Sequence, residues 1–522
     1  MSWKNFSPKE KSALRTLLII TLVTRLAFAF RPQWQIASRP FNDDAFYMFT
    51  VSDHLAHGQG LSVDSIHQTN GIQPLMVYLY TPLFMIAGGD KLLALRFSFI
   101  LIALIDMFNV LFFAKLVKRL LKTKTLDEQS VWLSPPVIAA ALWTFLFPIL
   151  IHTTNGLETG LYSLCIIASM NFYSIIRNKP AEPKLLHWIG FGALLGVTVL
   201  ARIDAVFFVI AFMASELWRF RKRGFASAVP IGITAFVVSS PWWIYNYRVF
   251  GNIMPQSGQS ESVLNMLQGN LQHAAISFGD ILSLGFMLPY HTLPQWTSYL
   301  WFVTIGTVVF FIAKRARLPE YLREHCDLPV LAPLALLNVM FVIYYIFFFS
   351  APHFMARYFQ PIRILWLILA VCSAPALFHY YRKLLIQFRT RLKFLVLSIT
   401  AAAGIFSFYG YVSYFFVSEP SSLYLAGTWA ARHPKEKIGM LQSGTAGFFS
   451  ANVINLDGKV NSEALHARQQ ENFGTYIMRE NFDYIMDWTG IVTPVIDDAR
   501  RHGANYERVD SIGYVVIFKR MR

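Results

Sequence analysis

The feature that most constrains this chain is a succession of apolar runs, most of them close to the roughly 20 residues an α-helix needs to cross a bilayer. They lie near 13–30, 91–114, 132–151, 157–176, 187–201, 203–218, 226–245, 296–313, 329–350, 361–380 and 393–416. Composition agrees: 55% of the residues are hydrophobic and 15% are charged, against roughly a quarter charged in soluble domains. The expectation is a polytopic α-helical membrane protein of about eleven transmembrane helices. One further run, Pro74 to Ala87, is only about 14 residues long and reads as interfacial or re-entrant rather than spanning.

Charge sets the expected orientation. The net charge of +16 comes from clusters at the N-terminus, Lys115–Lys124, Arg177–Lys184, Arg219–Arg223, Lys314–Arg323 and Arg382–Lys393. If 74–87 does not cross, all of these fall on one side, which the positive-inside rule makes cytoplasmic. The N-terminus is then cytoplasmic and the C-terminal segment periplasmic or otherwise extracytoplasmic, in a cytoplasmic (inner) membrane. Such clusters also suit anionic membrane lipids, whereas no basic groove or zinc spacing points to nucleic acid. The first apolar run lacks a small-residue cleavage site and reads as a retained helix, not a signal peptide. Cys165, Cys326 and Cys372 suggest no disulfide framework.

The unusual polar residues collect on the outer side, in 31–90, 152–159, 201–204, 246–295, 350–361 and everything after about 417. Within the outer loop 31–90, residues 44–57 form an amphipathic pattern. Ala45, Met48, Phe49, Ser52 and Ala56 face one way, and Asp44, Tyr47 and His54 the other. That pattern predicts a helix lying flat on the membrane, followed by a Thr69-Asn70-Gly71 turn and the second interfacial helix at 74–87. The tail alternates short strands, near 438–441, 453–456, 484–486, 506–509 and 514–518, with helical stretches. The expected division is a transmembrane unit, 1–416, and a small α/β domain, 417–522. Ser443-Gly444-Thr445-Ala446-Gly447 lacks the spacing of a dinucleotide or phosphate-loop motif.

Asn42-Asp43-Asp44 supplies the most pointed chemistry. Two adjacent carboxylates at a membrane surface are candidates for handling a proton or a cation, although either also suits a helix N-cap. Arg25 and Asp106 lie within apolar runs, where a charge marks a functional path or a structural pair.

With this topology, the Asp pair resembles the first outer loop of the GT-C superfamily of polyprenyl-phosphate-sugar glycosyltransferases. That superfamily includes protein O-mannosyltransferases, lipid A aminoarabinose transferases, oligosaccharyltransferases and cell-wall arabinofuranosyltransferases. The similarity runs on through Thr69-Asn70-Gly71-Ile72-Gln73-Pro74-Leu75, Asn155-Gly156-Leu157-Glu158-Thr159, Ala201-Arg202-Ile203-Asp204 and Pro241-Trp242-Trp243-Ile244-Tyr245-Asn246. It continues in Gly251–Gly258, Arg357-Tyr358-Phe359-Gln360-Pro361 and Asn455-Leu456-Asp457-Gly458-Lys459-Val460-Asn461. The resemblance implies transfer of a sugar from a polyprenyl-phosphate donor to an extracytoplasmic acceptor (glycan, lipid or protein), usually with inversion. It also implies that an acid of the first loop acts as general base or helps hold a metal. Asp43 matches that acid, leaving Asp44 to cap the helix. Trp242-Trp243 is followed by Ile244 rather than Asp, which disfavours transfer of an oligosaccharide to Asn.

The leaving phosphate of such a reaction calls for a fixed cation. Arg357, beside His353 and Tyr358, is the first candidate against a lipid-snorkelling role, and Arg202 is the second, with Asp204 near enough to neutralise it. Glu158 either orients substrate or caps a helix. Tyr245, Asn246, Gln256 and Ser257 are candidate sugar contacts or ordinary turn residues. No cofactor is implied beyond a divalent cation, for which Asp43 with His54 are the candidate ligands and His57 a further one. The competing expectations are a transporter or lipid flippase, which an internal repeat would favour and this chain lacks, and a non-catalytic scaffold.

Overall fold

The computed structural model describes residues 6–122, 134–178, 182–262, 266–285, 294–350, 352–387 and 408–521, with 394, 398, 404 and 405. Helices dominate up to Gln387. The first, Pro8–Leu26, starts on a Ser7–Glu10 capping box with proline at its first position, a pattern that satisfies orphan N–H groups at a helix start. Six described helices are long and apolar enough to cross a membrane, or seven if the pair Pro135–Phe145 and Phe147–Thr154, bent by 61°, forms one span. The other expected spans include helices Leu185–Ala201, Val206–Phe220 and Phe225–Phe250. Of the expected span 393–416, only 394, 398, 404, 405 and 408–416 are among the described residues.

The two charges that the sequence places within apolar runs, Arg25 and Asp106, pair with each other. Arg25 Nε lies 2.8 Å from Asp106 Oδ2, with both side chains at most 1% exposed. Trp143 Nε1 donates to the other carboxylate oxygen at 2.7 Å, and Arg25 also donates to the Thr144 carbonyl. This is the structural alternative for both residues: a charge pair whose spare lone pairs are filled by neighbouring donors.

The tail folds as a five-stranded sheet of order β2-β1-β3-β5-β4, with β1 Ile438–Met440, β2 Val453–Asn455, β3 Tyr484–Trp488, β4 Tyr506–Ile512 and β5 Val515–Arg520. The first three strands are parallel and β5 and β4 close the sheet as an antiparallel hairpin. Helices Ser462–Gln469, Phe473–Glu480 and Thr489–Arg501 accompany it. Their apolar faces give this unit its own core around Ile477, Ile485, Ile496 and Tyr506.

The packing does not stop at the boundary between the two units. Phe448 and Val460 of the tail belong to the same buried cluster as Phe46, Phe49, Tyr80 and Phe84 of the first loop, and the Phe46 and Phe448 rings stand 5.4 Å apart. Helix Asp43–Ala56 is therefore packed within the protein on more than one side. It is held between helix Pro74–Ala87 and helix Gly444–Phe449, with Ala45 to Ser52 all buried. Tyr47, on the polar face of the amphipathic pattern, is taken up by the tail. Its hydroxyl meets Asn455 Nδ2 at 3.1 Å and Ser443 Oγ at 3.3 Å.

Candidate active site

A cavity of about 530 Å³ opens where the first loop, the helical unit and the tail meet. Its polar lining comes from Asp44, Glu158, Arg202, Asp204, Glu261, Arg357 and Lys459, and its apolar lining includes Leu157, Val206, Phe207, Trp243 and Phe349. A pocket with a few converging charged groups on an apolar wall is the usual form of a small-molecule site.

The two adjacent acids part company at its edge. Asn42 is the N-cap residue and Asp43 the first residue of the helix, so successive side chains point about 100° apart around the axis. Asp44 lines the cavity. Asp43 turns to the tail, where its carboxylate accepts from Thr445 N at 2.7 Å and Gly444 N at 3.2 Å. Burial pushes the Asp43 carboxyl up to about 6 against the pull of these two N–H groups. Gly444 is required there, since a Cβ would come within 2.1 Å of the Asp43 carbonyl oxygen. Asp43 thus tethers the tail, Asp44 is the acid that faces the cavity, and neither side chain caps its own helix.

Arg202 organises one wall. Its Nε is 2.9 Å from Asp204 Oδ2, one terminal nitrogen lies 3.5 Å from Glu158, and its guanidinium sits 4.6 Å from the Tyr358 ring centre. Tyr345 bonds both Arg202 and Asp204. Glu158 occupies the N-cap position of helix Thr159–Arg177 but makes no capping bond, so its carboxylate serves Arg202. Arg357 Nε, like Arg202 Nη1, is buried without a hydrogen-bond partner, and the Arg357 guanidinium lies 4.7 Å from the Phe354 ring centre. A buried donor left unmet costs on the order of 1–3 kcal/mol, which a bound anion would recover. Burial alone would lower the Arg357 pKa, but Tyr358, Glu158 and Asp44 hold it above its usual value.

Two structures of ArnT from Cupriavidus metallidurans match this chain over nearly its whole length. The form bound to undecaprenyl phosphate gives a TM-score of 0.55 at 11% identity, covering 96% of this chain and 97% of ArnT. The apo form gives 0.51 at 11% identity, covering 97% and 98%. The chain has the GT-C fold. No protein-family model matches the sequence, and no curated protein matches it.

On this GT-C fold, six of the candidate site residues read from the sequence meet at the cavity, Asp44, Glu158, Arg202, Ser257, Arg357 and Tyr358, together with Asp204. Others lie elsewhere. Asp43 is behind the helix, as described. His353 packs against Phe354 with ring centres 4.1 Å apart and planes tilted by 53°, and burial, with Lys459 nearby, lowers its pKa. Tyr245 donates to the Thr69 carbonyl. Gln256 receives Thr69 Oγ1 and gives its backbone N–H to Asn70, so both fasten the 69–71 turn rather than face the cavity. His54 bonds Ser62 and is not gathered with Asp43. Among the described residues, no group of three or more His, Cys, Asp or Glu is placed to hold a metal ion.

Lys459 and Glu261 were not picked out from the sequence as site residues. Lys459 stands in the Asn455–Asn461 motif, which was a usable signal. Glu261 had none: it reaches the cavity from helix Gln256–Ser262 in an otherwise plain polar loop.

Proposed function

We propose that this protein is an integral-membrane glycosyltransferase that moves a sugar from a polyprenyl-phosphate carrier to an extracytoplasmic acceptor, with Asp44 as general base. The GT-C fold supports the class, and ArnT, which shares the fold, is described bound to undecaprenyl phosphate. The observation that carries the reading is the pairing in one cavity of Asp44 with Arg357, whose buried Nε lacks a partner.

The steps follow from those groups. The acceptor hydroxyl enters beside Asp44, whose carboxylate takes its proton as the oxygen attacks the anomeric carbon. The bond from that carbon to the carrier phosphate oxygen breaks on the opposite face, inverting the centre. The phosphate leaves with an added negative charge that Arg357 neutralises. General-base assistance of this kind is worth roughly 10²–10⁴-fold. The apolar wall of Val206, Phe207 and Phe349 suits the first isoprene units of the carrier. In this reading the cavity side is extracytoplasmic and the N-terminus cytoplasmic, in keeping with the one-sided Lys and Arg clusters.

Mass spectrometry of lipid-linked sugars and envelope polymers from a strain lacking this protein tests the assignment. The expected result is an accumulated polyprenyl-phosphate sugar with loss of one envelope modification. An unchanged lipid-linked pool and unchanged polymers would reject it.

A further inference from the structure

Among the described residues, Lys459 is the one side chain of the tail that lines the cavity. Its loop is rigidly set. Gly458 adopts a φ of +83° against the backbone of Leu465, its N–H bonds Asn455 Oδ1, and Lys459 N bonds Asp457 Oδ1 at 2.8 Å. The Lys459 carbonyl abuts Gly71 so closely that a Cβ there would lie 1.8 Å from the oxygen. Ser260 Oγ ties the Asp457 carbonyl to the helical unit at 3.0 Å. A residue held this firmly across two units is delivered to the cavity, not left to drift there.

At its tip, Nζ is 3.2 Å from Glu261 Oε1 and 3.9 Å from Asp457 Oδ2. It lies 5.3 Å from the centre of the Phe354 ring, the same ring that Arg357 approaches at 4.7 Å. Burial alone would lower the Lys459 pKa, but Asp44, Asp457 and Glu261 outweigh it and keep the ammonium charged. An ammonium has three N–H donors, so these carboxylates hold it at its post without exhausting it. Four carboxylates, Asp44, Glu158, Asp204 and Glu261, line the cavity against three cations, Arg202, Arg357 and Lys459. The charge of Arg202 is offset by its ion pairs with Asp204 and Glu158, although its Nη1 makes no hydrogen bond. Entry of an anion therefore depends on Arg357 and Lys459 together, and losing either would leave the lining more acidic.

We propose that Lys459 is the second cation of the donor-phosphate site, acting with Arg357, so that the C-terminal domain completes the site rather than only covering it. The inference rests on the polyprenyl-phosphate reading above and adds a residue and a domain to it.

Undecaprenyl phosphate and undecaprenol, which differ by the phosphate alone, are the probes, with full-length protein in nanodiscs. Wild type should bind the phosphate at least 10-fold more tightly than the alcohol. Lys459→Met should remove most of that preference, Lys459→Arg should keep it, and undecaprenol binding should not change in either. Wild-type-like phosphate binding by K459M, alongside loss in Arg357→Gln, would overturn the role of Lys459 while leaving the donor reading intact. A wild type that does not distinguish the probes would overturn the donor reading itself. Should K459M fail to fold, Lys459→Gln carries the test: loss of most of the preference for the phosphate is expected, and a wild-type-like preference would refute the proposal.

Discussion

Exchange of the two adjacent acids separates chemistry from architecture at a single turn of helix. Asp44→Asn removes the only proton acceptor of the pair that faces the cavity. It should lower the rate of sugar transfer by roughly 10²–10⁴, or about 2.7–5.4 kcal/mol at 1.36 kcal/mol per tenfold. Asp43→Asn acts elsewhere. The Asp43 carboxylate accepts from Thr445 N at 2.7 Å and Gly444 N at 3.2 Å, and an amide offers one acceptor oxygen where the carboxylate offers two. One buried N–H is left facing an NH₂ group, a cost on the order of 1–3 kcal/mol in docking of the tail. Transfer should then fall less than 10-fold wherever the protein stays folded. The assay is single-turnover transfer by each variant in nanodiscs, using the lipid-linked sugars extracted from a strain lacking the protein, with amide exchange over 441–449 read in parallel. Near-normal transfer by D44N, or abolished transfer by D43N with undisturbed exchange protection, would refute the division of labour.

Three further outcomes follow from the geometry. Gly71→Ala drives a methyl group to within 1.8 Å of the Lys459 carbonyl, so the tail should move off the first loop, with exchange protection lost over 455–461 and proteolysis accelerated there. Asp106→Ala strands a fully buried Arg25 and should destabilise the helical unit by on the order of 3–5 kcal/mol. Adding Arg25→Met should recover much of that loss, a coupling readable by a double-mutant cycle of thermal stability in detergent. His67 pairs with Asp64 at 2.7 Å and lies 3.9 Å from Glu463 of the tail. Burial opposes its charge, but Asp64 outweighs burial and raises the His67 pKa above 6.5. Because the folded value is the higher one, the contribution is complete below pH 6.5 and fades as pH rises through that raised value. Exchange protection over 61–69 should weaken in that window for wild type and show no such step in His67→Gln.

The apolar runs disclosed a multi-pass helical architecture, because spanning a bilayer demands local properties that one segment carries alone. The 14-residue helix at 74–87 and the tail's five strands are of the same kind: Pro74 and Gly88 bound the one, and short β-rich runs between turn residues mark the others. Arg202 with Glu158, and Arg357 with Tyr358, were also within reach of motif and chemistry. The Arg202–Asp204 pair was legible too, since two positions separate them. The contact of Arg202 with Glu158 was not, because these two meet only through the packing of separate helices. The two Asp residues show the limit most clearly. The sequence sets them side by side and marks the pair as chemically important, but one peptide unit of helix turns them to different compartments. Which one faces the cavity depends on Gly444 and Thr445, some 400 residues along the chain. Local pattern marked the two adjacent acids as a pair, one of which lines the cavity. Only the docking of the tail decided that it is Asp44, because burial and hydrogen bonding claim whichever carboxylate the distant backbone can reach.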